Sequence, residues 1–148
     1  MRKDFGSKTY LYPMPVLIIG TYNEAGTANA MNAAWGGISD FDKIAIALSN
    51  HKTTDNLKQT KSFTVSVGTA SMVEACDYVG IVSGNKIPDK VSRAGLHAIK
   101  SKYVNAPIFK ELPLALECEV ISFDEKSEIL TGKIINAVSY THLTLPTN

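Results

Sequence analysis

The chain has 148 residues, 45% of them hydrophobic and 20% charged, with a formal net charge of +1 at pH 7. That length fits one domain with a core of its own and leaves no room for a second of ordinary size. The charge balance is that of a globular protein and provides no overall field to draw it toward nucleic acid or an anionic membrane.

Arg2, Lys3 and Asp4 have no apolar run behind them, so no secretory leader is expected. The early apolar stretch Val16 to Ile19 is far too short to cross a bilayer. It opens a β-rich run, Val16 to Tyr22, closed by the turn residues Asn23-Glu24-Ala25-Gly26. Thr27 to Ala34 then reads as the returning arm of a hairpin, although alanine and asparagine are poor strand formers. Its small side chains imply that something bulky lies against the sheet.

Ile44 to Leu48 is expected as a strand with its larger side chains on one face. Thr53-Thr54-Asp55 can cap a short helix running to Thr60. Phe63, Val65 and Val67 alternate with Thr64, Ser66 and Gly68, a strand with one buried face. Ser71 and Glu74 have capping-box spacing ahead of a helix through Ala75, Cys76 and Tyr78. Gly80, Ser83, Gly84, Pro88 and Gly95 predict a long loop over Val79 to Leu96, a length that points to function or mobility. Pro113 to Phe123 and Ile129 to Val138 form a second hairpin around Asp124 to Ser127. Residues 139–148, from Ser139 to Asn148, resemble a translated sequencing adapter. The expected domain is therefore 1–138, lacking its natural C-terminal portion, followed by a non-native tail.

Three segments could carry chemistry. Ser49 to Thr54 lies between a strand end and a helix start, where unpaired N–H groups, Lys52 and the hydroxyls of Thr53 and Thr54 suit a phosphate. The same residues read equally as a helix cap beside a solvated lysine. Asn29 to Trp35 offers small residues that admit a flat ring and the amides of Asn29 and Asn32 to bond a heterocycle, with Trp35 as a wall. A tightly packed strand with Trp35 in the core explains that segment as well. In the third, Gly80 to Asn85, Ser83 could touch a ligand while Lys90 stabilises an anion, and a plain surface loop is the alternative.

Other chemistries find no pattern. There is no P-loop and no GxGxxG, no nucleophile elbow, and His51, His97 and His142 lack metal-ligand partners. Glu117 and Glu119 are expected to share a solvated strand face. Cys76 and Cys118 are expected to be packed, reduced thiols in a cytoplasmic protein.

Taken in order, several motifs resemble one family. They are Asn29 to Trp35, Ile44 to Leu48 leading into His51-Lys52-Thr53-Thr54, and Asp77 to Gly84 with Asp89-Lys90. Ala106-Pro107 and Pro113 to Cys118 complete the series. The chain resembles the flavin reductase-like proteins with an FMN-binding split barrel, in particular the flavoredoxin-type group, from about Pro15 to Val138. The resemblance implies an all-β fold with minor α, a six-stranded antiparallel split β-barrel with short helices, assembled as a homodimer. It implies FMN contacted by Asn29, Met31, Asn32, Ala33 and Trp35 along one strand. Ser49, Lys52, Thr53 and Thr54 would receive the ribityl chain and phosphate, and Ser83, Gly84 and Lys90 would close over the ring. Ser127 stands where such proteins often carry a histidine.

The implied activity moves electrons from NADH, NADPH or a redox partner through FMN to an acceptor. The cofactor carries the chemistry, so neither a catalytic side chain nor a metal is expected. A non-catalytic flavin-binding module is the alternative. A nucleic-acid-binding barrel is disfavoured by neutral charge and a single Trp.

Overall fold

The computed structural model describes residues 1–139. Residues 1–16 form no regular element and are largely exposed. Strand β1, Leu17–Tyr22, turns at Asn23 into β2, Ala28–Ala33. The Asn23 side chain accepts from Thr27 N at 2.8 Å and its carbonyl accepts from Gly26 N at 2.9 Å, with Gly26 at φ 78 where only glycine sits without strain. Leu17 lies opposite Ala33 and Tyr22 opposite Ala28. Next come β3, Gly36–Asp40, and β4, Lys43–Ala47, then helix α1, Lys52–Thr60, and β5, Ser62–Val67. A 3-10 turn over Ala70–Met72 runs into α2, Val73–Ile81, followed by the short α3, Lys90–Arg93. The small ribbon of β6, Ala98–Lys100, and β7, Pro107–Phe109, precedes the long hairpin of β8, Leu114–Asp124, and β9, Ile129–Ser139.

The main sheet is antiparallel and orders its strands β2-β1-β5-β8-β9-β4-β3. Its two edge strands, β2 and β3, are joined only by Ala34 and Trp35. Six strand spacings would put those edges about 29 Å apart in a flat sheet. Three Cα steps from Ala33 to Gly36 reach about 11 Å at most. The sheet must therefore curl until its edges nearly meet, and the fold is a mostly β split half-barrel with a few helices.

Curling creates an inside and an outside, and both are apolar. Leu17, Ile19, Ile44, Ile46, Phe63, Val65, Cys118 and Leu130 fill the interior, with Leu57 of α1 joining them. Ile18 and Ala30 point outward into a second cluster with Ala75, Cys76, Val79, Val91 and Phe109, beneath α2, α3 and β7. The unbroken run Leu17-Ile18-Ile19 is thus a strand covered on both faces. The small residues of β2 let α2 and α3 pack close, so the bulk expected against that strand includes the protein's own helices.

Several expectations are corrected. The main sheet has seven strands, not six, because β3 is a strand of its own. Its Gly36-Gly37 opening and exposed Ile38 gave no alternating pattern to read. With β7 packed against it, β5 is buried on both faces: Thr64 and Ser66 are as inaccessible as Phe63 and Val65. The Ser71/Glu74 capping box does not form; Ser71 Oγ instead pairs with Thr69 Oγ1 at 3.1 Å, and α2 starts without a side-chain cap. The stretch Val79 to Leu96 is partly helical, since α2 continues to Ile81 through Gly80 and α3 opens at Lys90. Glu117 is only 1% exposed: the Ser101–Ala106 segment folds over it, and Ser101 Oγ and Asn136 Nδ2 donate to its carboxylate. Of the tail expected at 139–148, Ser139 ends β9 opposite Leu114, and the rest lies outside the described residues.

Gly20 and Gly37 test the packing. A Cβ on Gly20 would crowd Thr64 Oγ1, the Pro107 carbonyl and the Phe109 ring, whereas one on Gly37 would meet nothing within 4 Å. Gly20→Ala should lower the unfolding free energy by about 1–3 kcal/mol. Gly37→Ala should leave it unchanged or raise it by about 0.5 kcal/mol by stiffening the unfolded chain. Urea denaturation of the two variants checks both.

Candidate functional site

Helix α1 begins at the barrel rim, beside β2. His51 occupies the cap position in extended conformation, and Thr54 closes the turn: its Oγ1 donates to the His51 carbonyl at 2.8 Å and accepts from His51 N at 3.0 Å. The helix is thus capped at His51, ahead of the Thr53-Thr54-Asp55 cap expected from sequence. Its first N–H groups have no intrahelical acceptor and carry the positive end of the helix dipole.

Two asparagines of β2 tie the helices down. Asn29 Nδ2 donates to Thr53 Oγ1 at 2.8 Å, fastening α1, and Asn32 Nδ2 donates to the Cys76 carbonyl at 3.3 Å, fastening α2. Asn32 abuts Gly80, and Asn29 Oδ1 abuts Gly84; a side chain on either glycine would overlap the amide. Asn29 Oδ1 is buried and has no hydrogen-bond partner. A buried acceptor left in that state costs about 1–3 kcal/mol, which a ligand N–H or O–H would recover.

Between these elements lies a cavity of about 270 Å³. Asn29, Met31, Lys52, Thr53, Ser83, Gly84 and Lys90, all candidates above, line it together. Asn50, His51, Gly80, Ile81, Val82 and Asn85 also line it, and none of the lining residues is acidic. All six lie within the two candidate segments, Ser49 to Thr54 and Gly80 to Asn85, although none had been given a contact of its own.

The remaining candidates sit elsewhere. Thr54 is buried in its capping role, Ala33 belongs to the barrel core, and Asn32 faces α2 beside a separate cleft lined by Val16, Gly68 and Cys76. Trp35 is 61% exposed at the β2–β3 link, not in the core. It shares a second cleft, about 320 Å³, with Ser49, Leu48, Ser127 and Glu128. Ser127 is held in the β8–β9 turn by donating to Asp124 Oδ2 at 2.7 Å.

Lys90 differs from a free surface cation. It is 4% exposed, and its Nζ donates to the carbonyls of Val79 and Val82, each at 2.8 Å. Burial pushes its ammonium down to about 8.

Other chemistry is unsupported. Burial raises the Cys76 thiol and pushes Cys118 up to about 12, so neither is a ready thiolate at neutral pH. His97 Nδ1 pairs with Glu111 Oε1 at 2.6 Å on the surface. Among the described residues no group of His, Cys, Asp and Glu could hold a metal, and no helix is long and apolar enough to cross a membrane.

Residues 9–144 match the model of the family described as Flavin reductase like domain. The flavoredoxin of Desulfovibrio vulgaris (Miyazaki F) is a similar solved structure, 32% identical with TM-score 0.89, matching 95% of this chain and 78% of its own. An FMN-binding domain of a flavin reductases-like enzyme from Shewanella baltica OS155 shares the fold at 21% identity, TM-score 0.80, over 86% of this chain and 72% of its own. An uncharacterized protein of Aeropyrum pernix is 26% identical over 121 residues, which is 80% of this chain and 46% of the relative. The chain therefore spans about half the length of that curated relative.

Lys90 makes stability depend on pH in a definite direction. Its folded pKa of about 8 lies below the ordinary 10.5, so between these values the unfolded chain still holds a proton that the folded chain has released. Unfolding free energy should therefore rise from pH 8 to 10.5, by about 1–3 kcal/mol, relative to Lys90→Met. Parallel urea titrations of the two proteins across that range measure it.

Proposed function

The chain belongs to the Flavin reductase like domain family, and we propose that it is an FMN-dependent oxidoreductase or electron carrier, flavoredoxin-like, holding FMN without a covalent bond. The observation that carries this reading is the unpartnered, buried Asn29 Oδ1 on the wall of a cavity that opens at a helix N-terminus. The residues present fit the group. Lys52, the Thr53 hydroxyl and the first N–H groups of α1 suit a phosphate, and no lining carboxylate opposes it. Asn29 and Ser83 offer hydrogen bonds to the polar atoms between phosphate and ring, while Met31 and the backbone at Gly80 and Gly84 line the rest of the wall. The similar solved structures include a flavoredoxin and an FMN-binding domain, which supports the choice of FMN.

When bound, FMN supplies hydride and one-electron chemistry, so the chain's task is to bind, orient and shield it. No side chain at the cavity needs to act as nucleophile or general acid. NADH or NADPH, or a redox protein, is the proposed electron source, with a separate acceptor. We further propose a cytoplasmic homodimer. Two buried, unpaired thiols suit a reducing compartment, and the exposed Trp35, Ile38, Phe41, Ile121 and Ile135 offer apolar surface for a second copy.

The purified protein should be yellow and quench added FMN fluorescence. Lys52→Ala combined with Thr53→Ala should weaken FMN about 10–100-fold, the worth of one or two charge-assisted hydrogen bonds. Unchanged affinity would remove the phosphate assignment. Stopped-flow mixing with NADH and NADPH tests the redox role: a reductase bleaches the flavin band within the first turnover, and a binding module leaves it intact.

A further inference from the structure

We propose that Lys90 is a positioning residue: its buried ammonium clamps the end of α2, so that the Gly80–Gly84 stretch stands as a wall of the cavity. In this role it does not meet the ligand's anionic group. The proposal rests on the FMN reading only for the choice of ligands in one arm of its test.

The reason lies in how α2 stops. Val82 N closes the last turn on the Tyr78 carbonyl at 3.0 Å, and the chain then leaves the helix in extended conformation. Carbonyls of a final turn lack intrahelical donors and need partners from outside. Lys90 Nζ supplies two of them at once, to Val79 and Val82. The backbone of Lys90 is itself fixed. Its N–H donates to the Ile87 carbonyl at 3.2 Å, and its neighbour Val91 is buried in the cluster that holds Val79 and Ala75. Side chain and main chain thus join α3 to the end of α2 across the loop containing Ser83 and Gly84.

The wall is where such a clamp matters. Gly84 sits against Asn29 Oδ1 and Lys52, and Gly80 against Asn32, with no tolerance for a side chain. A shift of this turn would alter the cavity on the side that faces β2 and the start of α1. Two of the three ammonium donors are already engaged, and Lys90 forms no ion pair among the described residues. Lys52 is the opposite case: half-buried at the cavity mouth on α1, with its ammonium uncommitted to any hydrogen bond among the described residues. The two lysines therefore differ in role: Lys52 offers the cavity an uncommitted ammonium, while most of the Lys90 donor capacity is spent on holding the wall.

Hydrogen exchange on the unliganded protein tests the clamp directly. Lys90→Met should speed exchange of peptides spanning Gly80–Asn85 by about tenfold or more while the β8–β9 hairpin stays protected. Lys90→Arg, which keeps N–H donors, should restore protection. FMN and riboflavin, which lacks the phosphate, are then titrated into each variant. A positioning residue makes Lys90→Met weaken both flavins by the same factor, about tenfold, with recovery in Lys90→Arg. Loss confined to FMN, or unchanged exchange at Gly80–Asn85, overturns the proposal. If Lys90→Met does not fold, Lys90→Gln against Lys90→Arg gives the same comparison. If the wild type binds neither flavin, the FMN reading falls, and the exchange arm still decides the role of Lys90.

Discussion

The short link between β2 and β3 governs this molecule. Ala34 and Trp35 join the two outermost strands of a seven-stranded sheet, so the sheet can exist only as a curled wall. Once it curls, the inward residues of β1, β4, β5 and β9 converge on one core, and the outward face of β1 and β2 needs a cover of its own. Helices α2 and α3 provide it, and α1 sits at the rim with Leu57 in the core. The cavity is what remains where rim helix and covering helix both meet β2. Its position follows from closure, before any ligand is considered.

Close approach at that junction is secured by polar contacts. Each Asn-mediated tether contributes only about 1 kcal/mol net when made. Leaving either partner unpaired in a buried site costs about 1–3 kcal/mol, so their larger effect is to penalise any other arrangement of the helices. Glycines 80 and 84 are the steric half of the same device, because a methyl group at either would force Asn32 or Asn29 out of place. One acceptor, Asn29 Oδ1, is left over. The tether that fixes α1 thus also leaves an unsatisfied acceptor in a residue of the cavity wall, so the architecture that builds the fold prepares the site.

Most of this was legible where local and tertiary demands agreed. The Asn23–Gly26 turn, the β4 alternation and the β8–β9 hairpin all combine strand period with turn chemistry, and they form as read. The pairing of the Ser49–Thr54 and Gly80–Asn85 segments around one cavity could be expected from the family resemblance, though not from either segment alone. Departures arise where a distant element decides. Glu117 looked solvated because nothing local says that Ser101–Ala106 folds over it. Trp35 could be read as core because its exposure depends on the closure link in which it sits. The burial of Lys90 was not legible either, because residue type reports charge, whereas its carbonyl partners lie at the end of α2, eight and eleven residues earlier in the chain.

Charge at the cavity is the physical ground for proposing a phosphorylated ligand over a neutral one. The chain as a whole is nearly neutral at +1, so no long-range field is available. Locally, the helix end contributes the equivalent of about half a positive charge. Lys52 adds a full one, and the cavity lining holds no carboxylate to cancel either. A half-buried lysine is screened by water and salt, which limits it to about 1–3 kcal/mol toward a phosphate. The dipole with its free N–H groups adds about 0.3–2 kcal/mol. Neither suffices alone against the entropy of fixing a small ligand. Together with a hydroxyl from Thr53 they favour a dianion over its dephosphorylated counterpart by a factor that a neutral cavity of the same shape could not reach. Because these terms act only within a few ångströms, they would act on the anionic group of the proposed ligand and leave the rest of it to shape, which Gly80, Gly84 and, in the role proposed for it, Lys90 set.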